Sequence, residues 1–260
     1  MTCYHPRPME QASDRPPSTV RVAALGDLHC TTESRGQLQD LFAQASRAAE
    51  AIALCGDLTD YGIPLEAEVL AGELAAATVP VVAVLGNHDY ESGAADQVAE
   101  ILHGAGVKLL DGDAVELAGI GFAGTKGFAG GFGPHALGAW GEAAIKSFVQ
   151  VAIDEALKLE TAVARLRTAT RVVLLHYSPV QGTVEGEPEA IFPWLGSSRL
   201  EEPIDRYEVA AVLHGHAHHG TPEARTRGGV PVYNVALPVL ARLEPARSFR
   251  VIELPGGAAS

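Results

Sequence analysis

Three short apolar runs in the N-terminal part of the chain end in the same way, with glycine and then a polar residue. RVAALGD closes on Asp27, AIALCGD on Asp57 and VPVVAVLGN on Asn87. Runs of β-branched and apolar residues without alternation mark strands buried on both faces. Between them, apolar residues recur at helical spacing: about 34–50 with Leu38, Leu41, Phe42 and Ala45, and about 64–77 with Leu65, Val69, Leu70 and Leu74. Strand, helix, strand, helix, strand restricts the fold to right-handed βαβ units with parallel strands. A polar residue just past such a strand stands at the carboxyl edge of the sheet, where open α/β sheets bind ligands.

A further helix is predicted near 92–104. After it VKLL, AVELAG and IGFAG are short strand-like runs with turn residues between them, which predicts antiparallel pairing. A glycine-rich loop follows, GTKGFAGGFGPHALG at 124–138. The spacing of Ile145, Phe148, Val149, Ile153, Leu157 and Val163 predicts a long helix over about 140–168. RVVLLHYSP and EVAAVLHGHAHH each read as strand then loop, and PVYNVALP and SFRVIEL as closing strands. Residues 1–18, polar and rich in proline, are expected to form an extended arm. The remainder, 19–260, reads as one domain with an inserted loop and helix region around 124–170. The apolar face of the 140–168 helix suits either its own sheet, as a cap, or a second copy of the chain in a homodimer.

With 260 residues, 47% of them hydrophobic, the chain can bury a large core. A net charge of -13 gives no general attraction for nucleic acid or anionic membrane. No apolar stretch reaches the roughly 20 residues of a membrane span, and the first residues lack the apolar centre of a secretory signal. Cys3, Cys30 and Cys55 are odd in number and irregular in spacing, which is no disulfide framework. The cytoplasm is the expected location. A small anionic substrate of so acidic a chain needs a local positive centre, and bound divalent cations supply one.

The strand ends read in order supply such a centre: Asp27 and His29, then Asp57 and Asp60, then Asn87, His88 and Asp89, then His176, then His216 and His218. Carboxylate, amide oxygen and imidazole suit ions such as Mn, Fe, Zn or Ni. A two-metal site needs one carboxylate able to bridge and about three more protein ligands per ion, with the ions about 3.5–4 Å apart. Taken singly, Asp27 or Asp57 reads as a helix cap, Asn87 as a turn residue and His176 as a core histidine. Their joint occurrence at successive strand ends points to a metal centre.

The five blocks D-x-H, G-D-x-x-D, G-N-H-D, H and G-H-x-H resemble the calcineurin-like metallophosphoesterase superfamily, over roughly 22–220. The resemblance implies a four-layer αββα sandwich, an α/β fold of two mixed β-sheets flanked by helices. It implies two divalent metal ions (Mn, Fe, Zn or Ni). Asp27, His29 and His218 would hold one, with Asp57 bridging; Asp57, Asn87, His176 and His216 would hold the second. It makes His88 a non-ligating catalytic group facing the phosphate, with Asp89 expected to orient its ring. Asp60 is expected either to support the site from behind or to start a helix.

The activity implied is hydrolysis of a phosphodiester, or of a phosphomonoester, on a small phosphorylated substrate, by attack of a metal-bridging hydroxide with His88 assisting the leaving group. Tyr61 and Asp89 depart from the Arg and Glu typical of the protein phosphatase branch, so the chain looks more like the small bacterial phosphodiesterases and phosphomonoesterases. Some relatives serve as binding scaffolds with degraded centres; all seven ligand positions are intact here. Specificity is expected from about 124–200, where His135 and Lys126 are candidate substrate-binding residues and Phe128, Phe132, Trp140, Tyr177, Phe192 and Trp194 are the nearby aromatics. His214 and His219, beside the last motif, are expected in strand-end packing or solvent contact.

Overall fold

The computed structural model describes residues 19–256; the predicted arm at 1–18 lies outside them. The first half alternates as expected: β1 (Thr19–Leu25), α1 (Gln39–Ala48), β2 (Ala51–Cys55), α2 (Pro64–Leu74), β3 (Val81–Val84), α3 (Ala95–Gly104) and β4 (Lys108–Leu109). Then come β5 (Asp113–Leu117), β6 (Ile120–Gly124), α4 (Ala143–Arg165), β7 (Arg171–Leu174), α5 (Phe192–Leu195), α6 (Glu201–Arg206) and β8 (Ala211–His214). The chain closes with β9 (Glu223–Arg225), β10 (Pro231–Asn234), α7 (Leu237–Ala241) and β11 (Arg250–Pro255).

The strands form two mixed sheets, β11-β1-β2-β3-β4 and β5-β6-β7-β8-β10-β9. One core cluster joins them: Ile52, Leu54 and Val82 of the first sheet pack with Phe122, Val172, Leu174 and Leu213 of the second, and with Phe42, Leu70 and Leu102 of α1, α2 and α3. The alternate residues of the second sheet, Ala123, Val173 and Val212, turn outward. They pack under Leu159, Ala162 and Val163 of α4 and Ile204 of α6, as the two-residue period of a strand requires. The result is the four-layer αββα sandwich. Each large apolar side chain buried here stabilises the fold by about 1.5–3 kcal/mol.

Two side chains from elsewhere settle what local sequence leaves open. No side chain of α1 caps its own start. The Glu73 carboxylate on α2 does so instead, accepting from the backbone N–H groups of Gly36, Leu38 and Gln39 and placing negative charge at the helix N-terminus. Glu155, on the buried stripe of α4 between Ala152 and Leu159, accepts from Thr125 Oγ1 and Gly127 N at 2.5 and 2.9 Å.

Several expectations are corrected. Of the runs after α3, only β5 and β6 pair antiparallel. Lys108–Leu109 lies parallel to β3, because α3 is a crossover that returns the chain beside it. PVYNVALP is strand only to Asn234; α7 then begins at Leu237 with proline in its first turn. The predicted face of α4 is only partly the buried one. Val149 and Val163 are buried as expected, but Ile145 and Leu157 are exposed and Ala152, Leu159 and Ala162 are buried as well, since the alanines let the helix lie close on its own sheet. Leu65 of α2 is likewise exposed.

Candidate metal centre

Asp27 follows β1, Asp57 follows β2, Asn87 follows β3, His176 follows β7 and His216 follows β8. The two sheets meet at these edges: Gly26 N donates to Val235 O at 2.9 Å. Tight loops hold the site residues, and Asp27, His29, Asp57 and His216 have φ of 58, 45, 46 and 70°. Non-glycine residues kept in this region cost on the order of 1–3 kcal/mol each and gather at functional sites. The glycines of the motifs make room for the carboxylates. A Cβ on Gly86 would lie 2.1 Å from Asp57 Oδ1, and one on Gly215 2.2 Å from Asp27 Oδ2.

The histidines are oriented by oxygen partners that only accept, so the ring nitrogen facing each oxygen carries the proton. His176 Nδ1 donates to Cys55 O at 3.0 Å, and His216 Nε2 donates to Trp194 O at 3.2 Å. His29 Nδ1 donates to Asp60 Oδ1 at 3.1 Å. That leaves a lone pair on the other nitrogen of each ring. Burial pushes the His216 ring down to about 3, so it is neutral and able to ligate. Burial opposes charge on Asp27 too, but the His218 hydrogen bond and the neighbouring histidines hold its carboxyl below the usual range.

These open positions converge. Asp27, His29 and His218 form one group of mutually close donors, and Asp57, His176 and His216 another. His218 Nε2 lies 2.9 Å from Asp27 Oδ1. His176 Nε2 lies 2.9 Å from Asn87 Oδ1 and 3.3 Å from Asp57 Oδ1. His29 Nε2 lies 3.9 Å from the other Asp57 oxygen, Oδ2. Two donors about 2.1 Å from one ion and at right angles stand about 3 Å apart, so most of these spacings are those of neighbouring ligands. His29 Nε2 is buried without a hydrogen-bond partner. A buried imidazole nitrogen in that condition is costly unless something binds it. The residues present therefore fit two divalent ions with Asp57 between them.

His88 stands beside this set, its ring edge-on to His29 with centroids 4.6 Å apart. Its backbone N–H donates to Asp57 Oδ1 at 2.9 Å. Its Nδ1 donates to the Asp60 carbonyl at 2.7 Å, which leaves Nε2 as the open position. Burial opposes charge on this ring, but the Asp60 carbonyl and the carboxylates of Asp57, Glu91 and Asp60 outweigh it and raise its pKa. His88 also falls within a donor group with His29 and Asp57.

The expectation that Asp89 orients His88 is corrected. Asp89 is fully buried and accepts from Leu58 N, Thr59 N, Thr59 Oγ1 and Gly86 N. It stitches the loop after β2 to the loop after β3, so both of its oxygens are engaged by backbone and hydroxyl donors. Asp60 does the orienting, with its carboxylate on His29 and its carbonyl on His88.

Of the other candidates, Lys126 is half-buried at the site's edge, its carbonyl accepting from His176 N and Tyr177 N. His135 is exposed in a single 3-10 turn, Gly133–His135. It lines a hollow with Gly131, Phe132, Gln181, Glu189, Phe192 and Pro193 that includes none of the seven ligand candidates. His214 is buried, Nε2 on Thr183 Oγ1 at 2.8 Å, and burial pushes it down to about 4; His219 is exposed. Sequence reasoning missed Glu155. The available signal was a carboxylate on the apolar stripe of α4. The carbonyls of Cys55, Asp60 and Trp194, which orient three rings, carry no sequence signal.

A family model described as calcineurin-like phosphoesterase matches residues 20–220, and the chain belongs to that family. It is thus a metal-dependent phosphoester hydrolase, of a class that holds a dinuclear divalent centre. The fold is shared with phosphopantetheinyl hydrolase from Mycobacterium tuberculosis, at 16% identity and a TM-score of 0.64 over 89% of this chain and 95% of that one. It is shared with the protein TT1561 of Thermus thermophilus, at 16% identity and 0.53 over 90% and 98%. A protein described as a 5'-nucleotidase from Staphylococcus aureus matches at 15% identity and 0.50 over 94% of this chain and 55% of its own. A search of curated protein sequences found no match. Among the described residues no helix is long and apolar enough to cross a membrane.

Proposed function

We propose that the protein hydrolyses a phosphodiester of a small molecule at a two-metal centre formed by Asp27, His29, Asp57, Asn87, His176, His216 and His218. The observation that carries this reading is the placement of Asp57, whose Oδ1 lies 3.3 Å from His176 and whose Oδ2 lies 3.9 Å from His29. One carboxylate thus serves both halves of the site. Two ions bound there supply positive charge to the phosphoryl oxygens and acidify water. The chain does the rest. Asp60, Cys55 O and Trp194 O fix the histidine rings, so their open nitrogens need no reorganisation. His88, with Nδ1 on a carbonyl, acts as imidazolium: it presents Nε2–H to the leaving oxygen, gives it that proton and is left neutral.

A diester is favoured because it carries one negative charge. Among the described residues no arginine hydrogen-bonds to the side chains of the seven, and Arg242, which reaches His218, is engaged by the carbonyls of His218 and Gly220, so no guanidinium is offered to the second charge of a monoester. Metal analysis followed by a panel of phosphodiesters, phosphomonoesters and cyclic nucleotides, each with Mn, Fe, Zn and Ni, tests the reading. Faster turnover of diesters supports it. Preference for monoesters overturns the diester assignment, and absence of turnover with every ester and metal overturns the catalytic one.

A further inference from the structure

Lys126 is an ammonium without a counter-charge in a place where one is expected. Its Nζ donates to Gly127 O at 3.0 Å, and it forms no ion pair among the described residues. The carboxylates nearest in the fold are already engaged: Asp111 and Glu155 each accept from Lys158 Nζ at 2.9 Å. Around Lys126 are aromatic faces instead, with ring centroids of Tyr90, Phe128 and Tyr177 at 5.4, 5.1 and 5.2 Å from Nζ. Cation–π attraction holds the charge there but leaves ammonium hydrogens open.

This cation lies beside the site. Tyr90 directly follows the Asn87–Asp89 motif and Tyr177 directly follows His176, so Lys126 lies between two of the motif-bearing loops. The Tyr177 ring is 4.4 Å from that of His216 and 5.2 Å from Lys126 Nζ, so one aromatic ring separates the ammonium from a metal-ligand candidate. The residues on both sides of Lys126 are fastened to Glu155 of α4, Thr125 through its hydroxyl and Gly127 through its N–H. Phe128 continues to Phe148 and then to exposed Trp194, the rings tilted or edge-on to one another, giving an apolar flank beside the ammonium.

We propose that Lys126 is a specificity-determining residue, taking a second anionic group carried on the leaving side of the substrate, about one ring beyond the phosphorus that is attacked. The preferred ester therefore has an apolar spacer, which lies along Tyr177 and Phe128, and then a carboxylate or further phosphate. This rests on the phosphoesterase reading of the centre.

Phenylphosphonate, 4-phosphonobenzoate and 1,4-phenylenediphosphonate are titrated calorimetrically into the manganese-loaded protein. The carbon–phosphorus bond is not hydrolysed, so binding is read whatever ester the enzyme turns over. The wild type should bind at least one of the doubly anionic probes roughly tenfold more tightly than phenylphosphonate, the size expected of one charge-assisted hydrogen bond. The tighter of the two identifies the second group as carboxylate or phosphate. Lys126→Met should abolish the ratio and Lys126→Arg should keep most of it. In the wild type, raised salt should shrink it. Equal affinity for all three probes in the wild type, or a ratio that survives Lys126→Met, overturns the proposal. Discrimination without turnover of any ester would instead refute the phosphoesterase reading and leave this subsite standing.

Discussion

The backbone N–H of His88 donates to Oδ1 of Asp57 at 2.9 Å, and the same oxygen lies 3.3 Å from His176 Nε2. The residue proposed as acid and the carboxylate proposed to bridge are thereby fixed to each other through the main chain. Replacing the His88 side chain leaves that contact in place; replacing Asp57 disturbs it along with both halves of the site.

Asp57→Asn should therefore lower metal content at both positions together and reduce turnover by at least about 10²-fold, above the upper end of what losing a supporting contact costs a metal site. Elemental analysis of the purified variant beside initial rates checks this. Retention of two ions at full rate would remove Asp57 from its bridging role.

His88→Ala should keep metal content and slow turnover by about 10²–10⁴-fold, the usual contribution of a positioned proton donor. An ester with a good leaving group, which needs little protonation, should lose less. If the variant loses metal instead, His88 is a ligand, as its nearness to His29 and Asp57 also permits.

Asp89→Ala should act on stability before catalysis. It strands four buried donors, on Leu58, Thr59 and Gly86, at a cost of about 3 kcal/mol or more. Urea unfolding should show the loss. A variant as stable as the wild type but with an altered pH profile would restore the ring-orienting role that the geometry denies it.

Glu73 makes a prediction about pH. Burial opposes its charge, but the N–H groups of Gly36, Leu38 and Gln39 outweigh this and hold its carboxyl below the ordinary value of 4.5. A depressed folded pKa means stability that is fully present above the unfolded pKa and lost as pH falls through the folded one. Glu73→Gln should cost about 1–2 kcal/mol at pH 7. The gap from wild type should narrow on acidification below about 4, measured by urea titration at each pH. A gap independent of pH would show that the carboxylate charge contributes nothing to the cap.

The sequence by itself determined the alternating first half and the position of each motif at a strand's carboxyl end. Those features follow from local pattern: buried strands need unbroken apolar runs, and a strand's end sets where the next polar residue stands. Tertiary structure decided the remainder. Whether Asp89 faces His88 or four backbone and hydroxyl donors depends on which loops touch, and no spacing encodes that. Lys108–Leu109 joined the first sheet because α3 returned it there, and α4 turned its alanines rather than Ile145 and Leu157 to the sheet because close packing favours small residues. Lys126 looks like any loop lysine in the sequence. Only the fold shows Asp111 and Glu155 paired with Lys158, leaving its charge facing aromatic rings at the edge of the site.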